Sequence, residues 1–229
     1  MKTKKLHEWD LSYKEAVEIQ NRLASQVRFI AIKKKPKIIA GLDCAFSRDE
    51  KRIFAAVVVI MLPDFEVIET VTASRKLSFP YIPGLLSFRE APVCIDAIEK
   101  LKVKPDIFIV DGHGFAHPRR FGIASHIGVL LDMPTVGCAK SRLIGNFDEP
   151  SKRKGNYSRL ADNGEVIGAV VRTRTGVKPV FVSVGHKCAL DDAIKIALDC
   201  TTKYRLPEPA RLAHQIVSRT RSGDITVRV

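Results

Sequence analysis

The chain has 229 residues, of which 45% are hydrophobic, so it can bury a sizeable core as one α/β domain spanning residues 1–229. No apolar run approaches the ~18–20 residues that cross a bilayer. The charged start of the chain lacks the apolar stretch of a signal peptide, so we expect a cytoplasmic protein without a membrane partner. The net charge of +13 favours nucleic acid as a partner, although it also fits a merely basic protein.

The first half of the chain predicts a helix followed by three strands. Ser12 and Glu15 have the spacing of a capping box, which predicts the start of a helix with an apolar stripe. That stripe comprises Ala16, Ile19, Leu23 and Val27. Apolar runs then predict strands at residues 37–46, 53–62 and 65–73, and the short turns between them favour an antiparallel meander.

The second half alternates between helices and strands. Helices are predicted up to Leu101, over residues 122–131 and 190–204, and after residues 206–209. Strands are predicted at residues 107–110, 134–138, 166–171 and 180–184, the last two as candidates for a hairpin around Thr175 and Gly176. The polar, basic segment 141–164 is predicted to be a loop. A meander followed by this alternation predicts a mixed sheet with helices on its faces and an active site at strand ends.

The five cysteines are predicted to be buried and reduced. Their number is odd, and no two have the CxxC spacing of a zinc or redox motif. All lie next to apolar residues, which favours core thiols over disulfides or metal ligands. These residues are Cys44, Cys94, Cys138, Cys188 and Cys200.

Three carboxylates lie in unusual positions. Asp111 ends the most apolar strand and is followed by Gly112, which permits a close backbone approach, although a simple Asx-turn is the alternative. Asp43 lies inside a strand pattern, where it either faces a site or points outward from a half-exposed strand. Glu90 lies on a buried stripe if its helix is continuous, but Pro92 also allows a helix start or a kink there.

Three carboxylates supply the hard oxygen ligands that Mg²⁺ or Mn²⁺ prefers, and such a metal can activate water against a phosphodiester. The competing metal hypothesis is zinc at His113 and His117, which are four positions apart. Gly114 and Pro118 disfavour the helix that this spacing requires. The sequence therefore favours a hard divalent cation.

Further side chains could complete such a site. Lys140 follows a strand and could neutralise developing negative charge, although most strand-end lysines are merely exposed. The basic turn at residues 117–120 either faces phosphates or is solvated, and His214 lies at the edge of the last helix. Pro80 and Pro83 stiffen a turn that carries Tyr81, which is either a wedge between bases or a buried connector.

Taken together, these segments resemble the endonuclease V family, the deoxyinosine 3′ endonucleases. The resemblance is carried by GLDCAFS, by FPYIPGLLSFREAP, by VDGHGFAHPRRFGIASHIGVLLDMPTVGCAKSRLIG, by VRTRTGVKPVFVSVGHKCALDDAI and by YRLPEPARLAH. Order and spacing agree from about Lys37 to His214, and the long middle motif is highly specific. The N-terminal helix adds little to it.

The resemblance implies a ribonuclease H-like α/β fold with a central mixed sheet flanked by helices. It implies that Asp43, Glu90 and Asp111 bind Mg²⁺, with Mn²⁺ able to substitute, and that Lys140 and His214 complete the catalytic site. The expected wedge is Tyr81 with Pro80, Ile82 and Pro83. The expected base pocket comprises Gly84, Leu86, Gly112, Gly122, Ile123 and Gly137. His117, another active-site position by the resemblance, is expected to bind substrate beside the phosphate.

The activity implied by the resemblance is hydrolysis of the second phosphodiester 3′ to deoxyinosine, in single- or double-stranded DNA, leaving a 3′-hydroxyl and a 5′-phosphate. The protein is expected to act as a monomer. Inosine-containing RNA and branched DNA are alternative substrates for such a scaffold. A non-catalytic nucleic-acid-binding protein is the alternative from another class, and the three intact carboxylates argue against it.

Overall fold

The computed structural model describes residues 1–222, in which a mixed eight-stranded sheet is flanked by helices. The strands are β1 Ile38–Phe46, β2 Arg52–Met61, β3 Glu66–Lys76, β4 Ile107–Val110, β5 Thr135–Ala139, β6 Tyr157–Asp162, β7 Glu165–Val171 and β8 Val180–His186. The helices are α1 Tyr13–Ala24, α2 Leu86–Glu99, α3 Ile123–Leu131, α4 Leu190–Asp199 and α5 Glu208–Ser222. Across the sheet the strands follow the order β3-β2-β1-β4-β5-β8-β7-β6.

The pairing pattern confirms the predicted mixed sheet. Strands β1, β2 and β3 form an antiparallel meander, and β4 and β5 continue the sheet parallel to β1. The apolar β4 is completely buried in the middle, as parallel strands usually are. Strands β7 and β8 pair antiparallel, with Val171 opposite Val180, which confirms that hairpin.

Alternate residues of the central strands face opposite helical layers. Ile39 and Ile107 belong to a core that includes residues of α4 and α5. Their neighbours Ala40 and Phe108 belong to a second core, which includes residues of α2 and α3. Because strand side chains alternate with a period of two, this assignment fixes the face on which each later residue of β1 and β4 emerges.

Two predicted elements were wrong, and one open alternative is resolved by the structure. Strand β6 lies within the segment 141–164 predicted as a loop, and α4 ends at Asp199 instead of residue 204. Just beyond the C-cap residue Cys200, the Thr201 hydroxyl donates to the carbonyl of Ala197 at 2.6 Å. Helix α2 is continuous from Leu86 with Pro92 inside it, so Pro92 does not start the helix.

The five cysteines carry free thiols, and four of them are buried, while Cys44 is half-buried. Burial raises the pKa of the thiols of Cys138, Cys188 and Cys200 to about 12, which keeps them protonated and unreactive. The prediction of reduced core thiols is therefore confirmed for these positions. Across residues 1–222, no helix combines the length and apolarity that a membrane crossing requires.

Candidate active site

Two carboxylates meet where adjacent parallel strands reach the same edge of the sheet. Leu42 of β1 is paired with Val110 of β4, and the Asp111 amide donates to the Leu42 carbonyl at 2.9 Å. Asp43 and Asp111 each follow one of these residues, so both continue the α5-facing register of Ile39 and Ile107. Asp43 is only 8% exposed, so it is not an outward-facing acid on a half-exposed strand.

Helix α5 brings a histidine onto this pair. His214 Nδ1 lies 2.6 Å from Asp43 Oδ2, and the His214 side chain is half exposed. The helix can come this close because Gly41 has no side chain: a Cβ there would lie 2.0 Å from the carbonyl carbon of Pro209. The glycine in β1 therefore sets the distance between the strand and the histidine.

Asp43, Asp111 and His214 form a group that suits a metal ion. Each residue offers one ligand atom, and these atoms all lie within 4.8 Å of one another. Burial, and then the charge of Asp111, raises the pKa of Asp43 to about 6, against the opposing hydrogen bond from His214. Two oxygen donors that repel each other, with a nitrogen beside them, fit a divalent cation, which would relieve that repulsion.

Glu90 approaches this group from the opposite helical layer. It is 8% exposed on α2 and lies outside the 4.8 Å group of ligand atoms. Burial raises the pKa of Glu90 to about 8, with smaller contributions from Asp43 and Asp111 in the same direction. Glu90 is therefore close enough to sense both acids, and it carries a proton at neutral pH when no cation is present.

Lys140 supplies a positive charge at the same edge. It follows β5, the neighbour of β4, and its Nζ lies 2.5 Å from Asp111 Oδ2. The carbonyl of Lys140 in turn accepts a hydrogen bond from Arg205 Nη2 at 2.6 Å. The strand end thus holds the ammonium against the carboxylate instead of leaving it free in solvent.

A cavity of about 180 Å³ opens beside Glu90 and Asp111. Most of the predicted wedge and pocket residues line it. Ser87, His113 and Leu143 also line it, and these three were not predicted to do so. The predicted residues along its wall are Tyr81, Ile82, Pro83, Gly84, Leu86, Gly112, His117, Gly122 and Ile123. Burial, followed by the charge of Arg119, lowers the pKa of His117 to about 4, so the ring is neutral.

Two predicted substrate-binding residues do not line this cavity. Pro80 borders a separate groove that also contains Trp9 and Arg75. Gly137 lies in β5 beneath the loop, and a Cβ there would come within 2.7 Å of the Gly112 carbonyl oxygen. Gly137 therefore lets the loop after β4 lie close to the sheet, and its contact with a substrate stays a prediction.

Arg89 and Gln20 support the site and were missed from the sequence, and Arg119 was predicted only as part of the basic turn, without its partner. Arg89 lies over the rings of Phe46 and Tyr81 and pairs with Glu50 at 3.0 Å. An arginine in the first turns of an otherwise buried helix was the available signal. Gln20 and Arg119 both contact the Gly84 carbonyl, a long-range partner that no local pattern indicates.

The basic turn at residues 117–120 is largely engaged within the protein. Arg120 pairs with Asp162 at 2.9 Å and with Glu165 at 2.6 Å. Arg119 is directed toward Gly84. The turn therefore stabilises the neighbouring loops, and neither arginine is simply solvated.

Comparisons with known proteins agree with one another. A family model described as Endonuclease V matches residues 21–215. An Endonuclease V of Trichormus variabilis is 53% identical over 213 residues, which covers 93% of this chain and 96% of that protein. The crystal structure of Endonuclease V from Bacillus subtilis matches with a TM-score of 0.92 at 33% identity, covering 97% of this chain and 98% of that one.

A further solved structure contains nucleic acid. Ciona intestinalis Endonuclease V, in complex with a 24mer DNA containing an inosine followed by a ribo-adenosine, matches with a TM-score of 0.81. It is 31% identical, covering 92% of this chain and 98% of that one. These structural matches confirm the predicted fold class.

Proposed function

The chain belongs to the endonuclease V family, and on that premise we propose that it is a DNA repair endonuclease acting beside deoxyinosine. The cut falls at the second phosphodiester 3′ to the lesion and leaves a 3′-hydroxyl and a 5′-phosphate. The observation that carries the proposal is the group of Asp43, Asp111 and His214 next to a narrow cavity lined by a proline-rich turn.

Asp43, Asp111 and His214 would hold Mg²⁺, and Mn²⁺ can substitute because it accepts the same oxygen and nitrogen donors. Glu90 is proposed to join them through its carboxylate, which must first lose its proton. When bound, such a cation activates water and stabilises the leaving oxygen of a phosphodiester.

Side chains of the chain itself prepare the reaction. Asp43 orients the His214 ring through their hydrogen bond. The Lys140 ammonium, held at Asp111, stabilises negative charge that develops on the phosphate. Because these groups are fixed by strand ends and a helix, little reorganisation is needed at the moment of reaction.

The cavity beside Asp111 is proposed to receive the flipped base. Its walls combine apolar side chains, such as Ile123, with glycine backbone that can hydrogen-bond to a base edge. Tyr81 is 66% exposed at the tip of the turn, where it can enter the base stack beside the lesion. Flipping costs a few kcal/mol of stacking and pairing, which an inserted aromatic ring partly restores.

Inosine-containing RNA is the second candidate substrate. The nucleic acid bound to the Ciona intestinalis relative has a ribonucleotide directly after the inosine. A site that tolerates ribose there could also cut an RNA strand.

The proposal is tested by mapping nicks on matched DNA and RNA oligonucleotides that carry one inosine, with Mg²⁺ or with EDTA. We expect a Mg²⁺-dependent nick at the second phosphodiester in DNA. Asp111→Ala should abolish the nick and retain binding, whereas the exposed Asp148→Asn serves as a matched acidic control. Normal cutting by Asp111→Ala, or cutting in EDTA, would show that the metal assignment is wrong.

A further inference from the structure

Gln20 is a fully buried polar residue on α1, outside the segments that carry the resemblance to the family. Its Nε2 donates to the carbonyl of Gly84 at 3.0 Å and to the carbonyl of Phe121 at 2.9 Å. Its Oε1 accepts from Arg119 Nε at 2.5 Å. A buried amide is costly unless its hydrogen bonds are made, and here both ends of the amide are used.

The carbonyl of Gly84, which ends the proline-rich turn, accepts hydrogen bonds from both Gln20 and Arg119. Arg119 Nη2 donates to the same oxygen at 2.7 Å. Gly84 has a φ of +78°, and a Cβ on it would lie 2.7 Å from Arg119 Nη2. The position thus favours glycine for its backbone conformation, and a side chain there would displace the Arg119 guanidinium from its present place.

The two ends of the turn at residues 80–84 differ in hydrogen bonding and in exposure to solvent. Gly84 is tied to α1 and to the loop that includes Arg119 and Phe121, whereas Tyr81 at the tip is 66% exposed. The hydrogen bonds therefore fix the base of the turn and leave the aromatic ring presented to solvent.

We propose that Gln20 and Arg119 are positioning residues that hold the turn of residues 80–84 in the conformation that parts a DNA duplex. This inference rests on the proposed function of the turn as a wedge. A turn that is already ordered loses less conformational entropy when it enters the stack, so binding is tighter. Neither residue belongs to the group of Asp43, Asp111 and His214, so they act on binding and leave the chemical step alone.

A purely structural role for Gln20 predicts a different result. Loss of a core hydrogen bond would then lower thermal stability and affect every substrate equally. A positioning role instead affects duplex DNA more than single-stranded DNA, because a single strand does not need to be parted. The ratio of the two affinities separates these roles.

The experiment compares Gln20→Met, which conserves side-chain volume and removes all three hydrogen bonds, with Leu23→Ala. Leu23 is fully buried on the same helix in an apolar cluster with Val27, Phe121 and Val129, so its truncation controls for destabilisation without removing a side-chain hydrogen bond. Dissociation constants are measured for one inosine oligonucleotide, as a duplex and as a single strand, and single-turnover nicking is measured at saturating protein with Mg²⁺. Arg119→Met provides a second route if Gln20→Met does not fold.

We expect Gln20→Met to raise the Kd for the inosine duplex about tenfold, which corresponds to one lost favourable contact, with a smaller rise for the single strand and an unchanged saturated rate. An unchanged duplex Kd, equal losses on both substrates, or the same pattern in Leu23→Ala would overturn the positioning role. If the wild-type protein does not nick the inosine duplex, the proposed function itself fails. If the wild type nicks the inosine duplex but the Kd of Gln20→Met is unaltered, only the positioning role is contradicted and the proposed function stands.

Discussion

His214 Nδ1 and Asp43 Oδ2 lie 2.6 Å apart although 171 positions separate the two residues in the sequence. The contact joins the last helix of the described chain to the middle of its first strand. It also opposes the rise in the pKa of Asp43 that burial and the charge of Asp111 cause. The histidine therefore helps to keep a buried carboxylate available as a ligand.

Replacing His214 by alanine should lower the single-turnover nicking rate by about 100-fold, in the range found when a positioned acid–base or ligand group is lost. The Mg²⁺ concentration required for half-maximal rate should rise, because one donor of the group has been removed. A Mg²⁺ titration of nicking measures both quantities. Gln215→Ala, at the next and exposed position, is the control, and equal rates in the two variants would contradict the prediction.

Gly41→Ala should damage both stability and activity. The new methyl group would lie 2.0 Å from the Pro209 carbonyl carbon and 2.4 Å from the Ala210 amide nitrogen, so α5 must move away. Overpacking of this kind costs about 1–3 kcal/mol, and the displaced helix carries His214 with it. Thermal melting and nicking are measured on the same samples. His214→Ala should lose rate with little loss of melting temperature, and a Gly41→Ala variant that behaves like wild type in both assays would refute the close approach.

Tyr81→Ala should weaken binding to inosine duplex without disturbing the metal group. The ring is largely exposed and lies 5.8 Å from the Arg89 guanidinium, so its removal changes stability little. Loss of one stacked aromatic ring should raise the duplex Kd about tenfold. Tyr157→Ala, half exposed on the edge strand β6, is a matched control. Equal Kd values of Tyr81→Ala and Tyr157→Ala for inosine duplex would contradict the wedge role of Tyr81.

The sequence predicts the position of a residue well where that residue directly follows a recognisable strand. Asp111 and Lys140 each follow a short apolar strand, and strand ends of parallel neighbours meet at one edge of the sheet. Asp43 could be assigned to a face only relative to its neighbours, because alternation gives the opposite face but not what covers it. That helix α5 covers Asp43 is known only from the structure.

The features that sequence could not place depend on long-range contacts or on weak patterns. Gln20 lies beside an apolar stripe like any helical glutamine, and its carbonyl partners are 64 and 101 positions away. Strand β6 was missed because it is an edge strand in which only Leu160 is fully buried, so its alternation is faint. Pro92 left the course of α2 open, since proline can begin, kink or simply interrupt the hydrogen bonding of a helix.

Glu90→Gln should change how stability depends on pH when metal is removed. Burial raises the pKa of Glu90 from 4.5 to about 8, so between those values the folded protein holds a proton that the unfolded chain has released. The free energy of unfolding therefore falls as pH rises through that window. Glutamine resembles the protonated carboxyl group and cannot ionise, so this contribution to the slope should vanish.

Thermal melting in EDTA, over the range from the ordinary pKa of 4.5 up to about 8, separates Glu90 from its neighbour. Asp43 contributes a fall of the same sign, but only up to its own pKa of about 6. Above that value, wild-type melting temperatures should keep falling while those of Glu90→Gln level off. Because a bound cation favours the ionised carboxyl group, Mg²⁺ should flatten the wild-type curve and stabilise Glu90→Gln less. If melting temperature depends on pH in the same way for wild type and Glu90→Gln in EDTA, Glu90 is not held protonated. If Mg²⁺ stabilises both proteins equally, Glu90 is not a metal ligand.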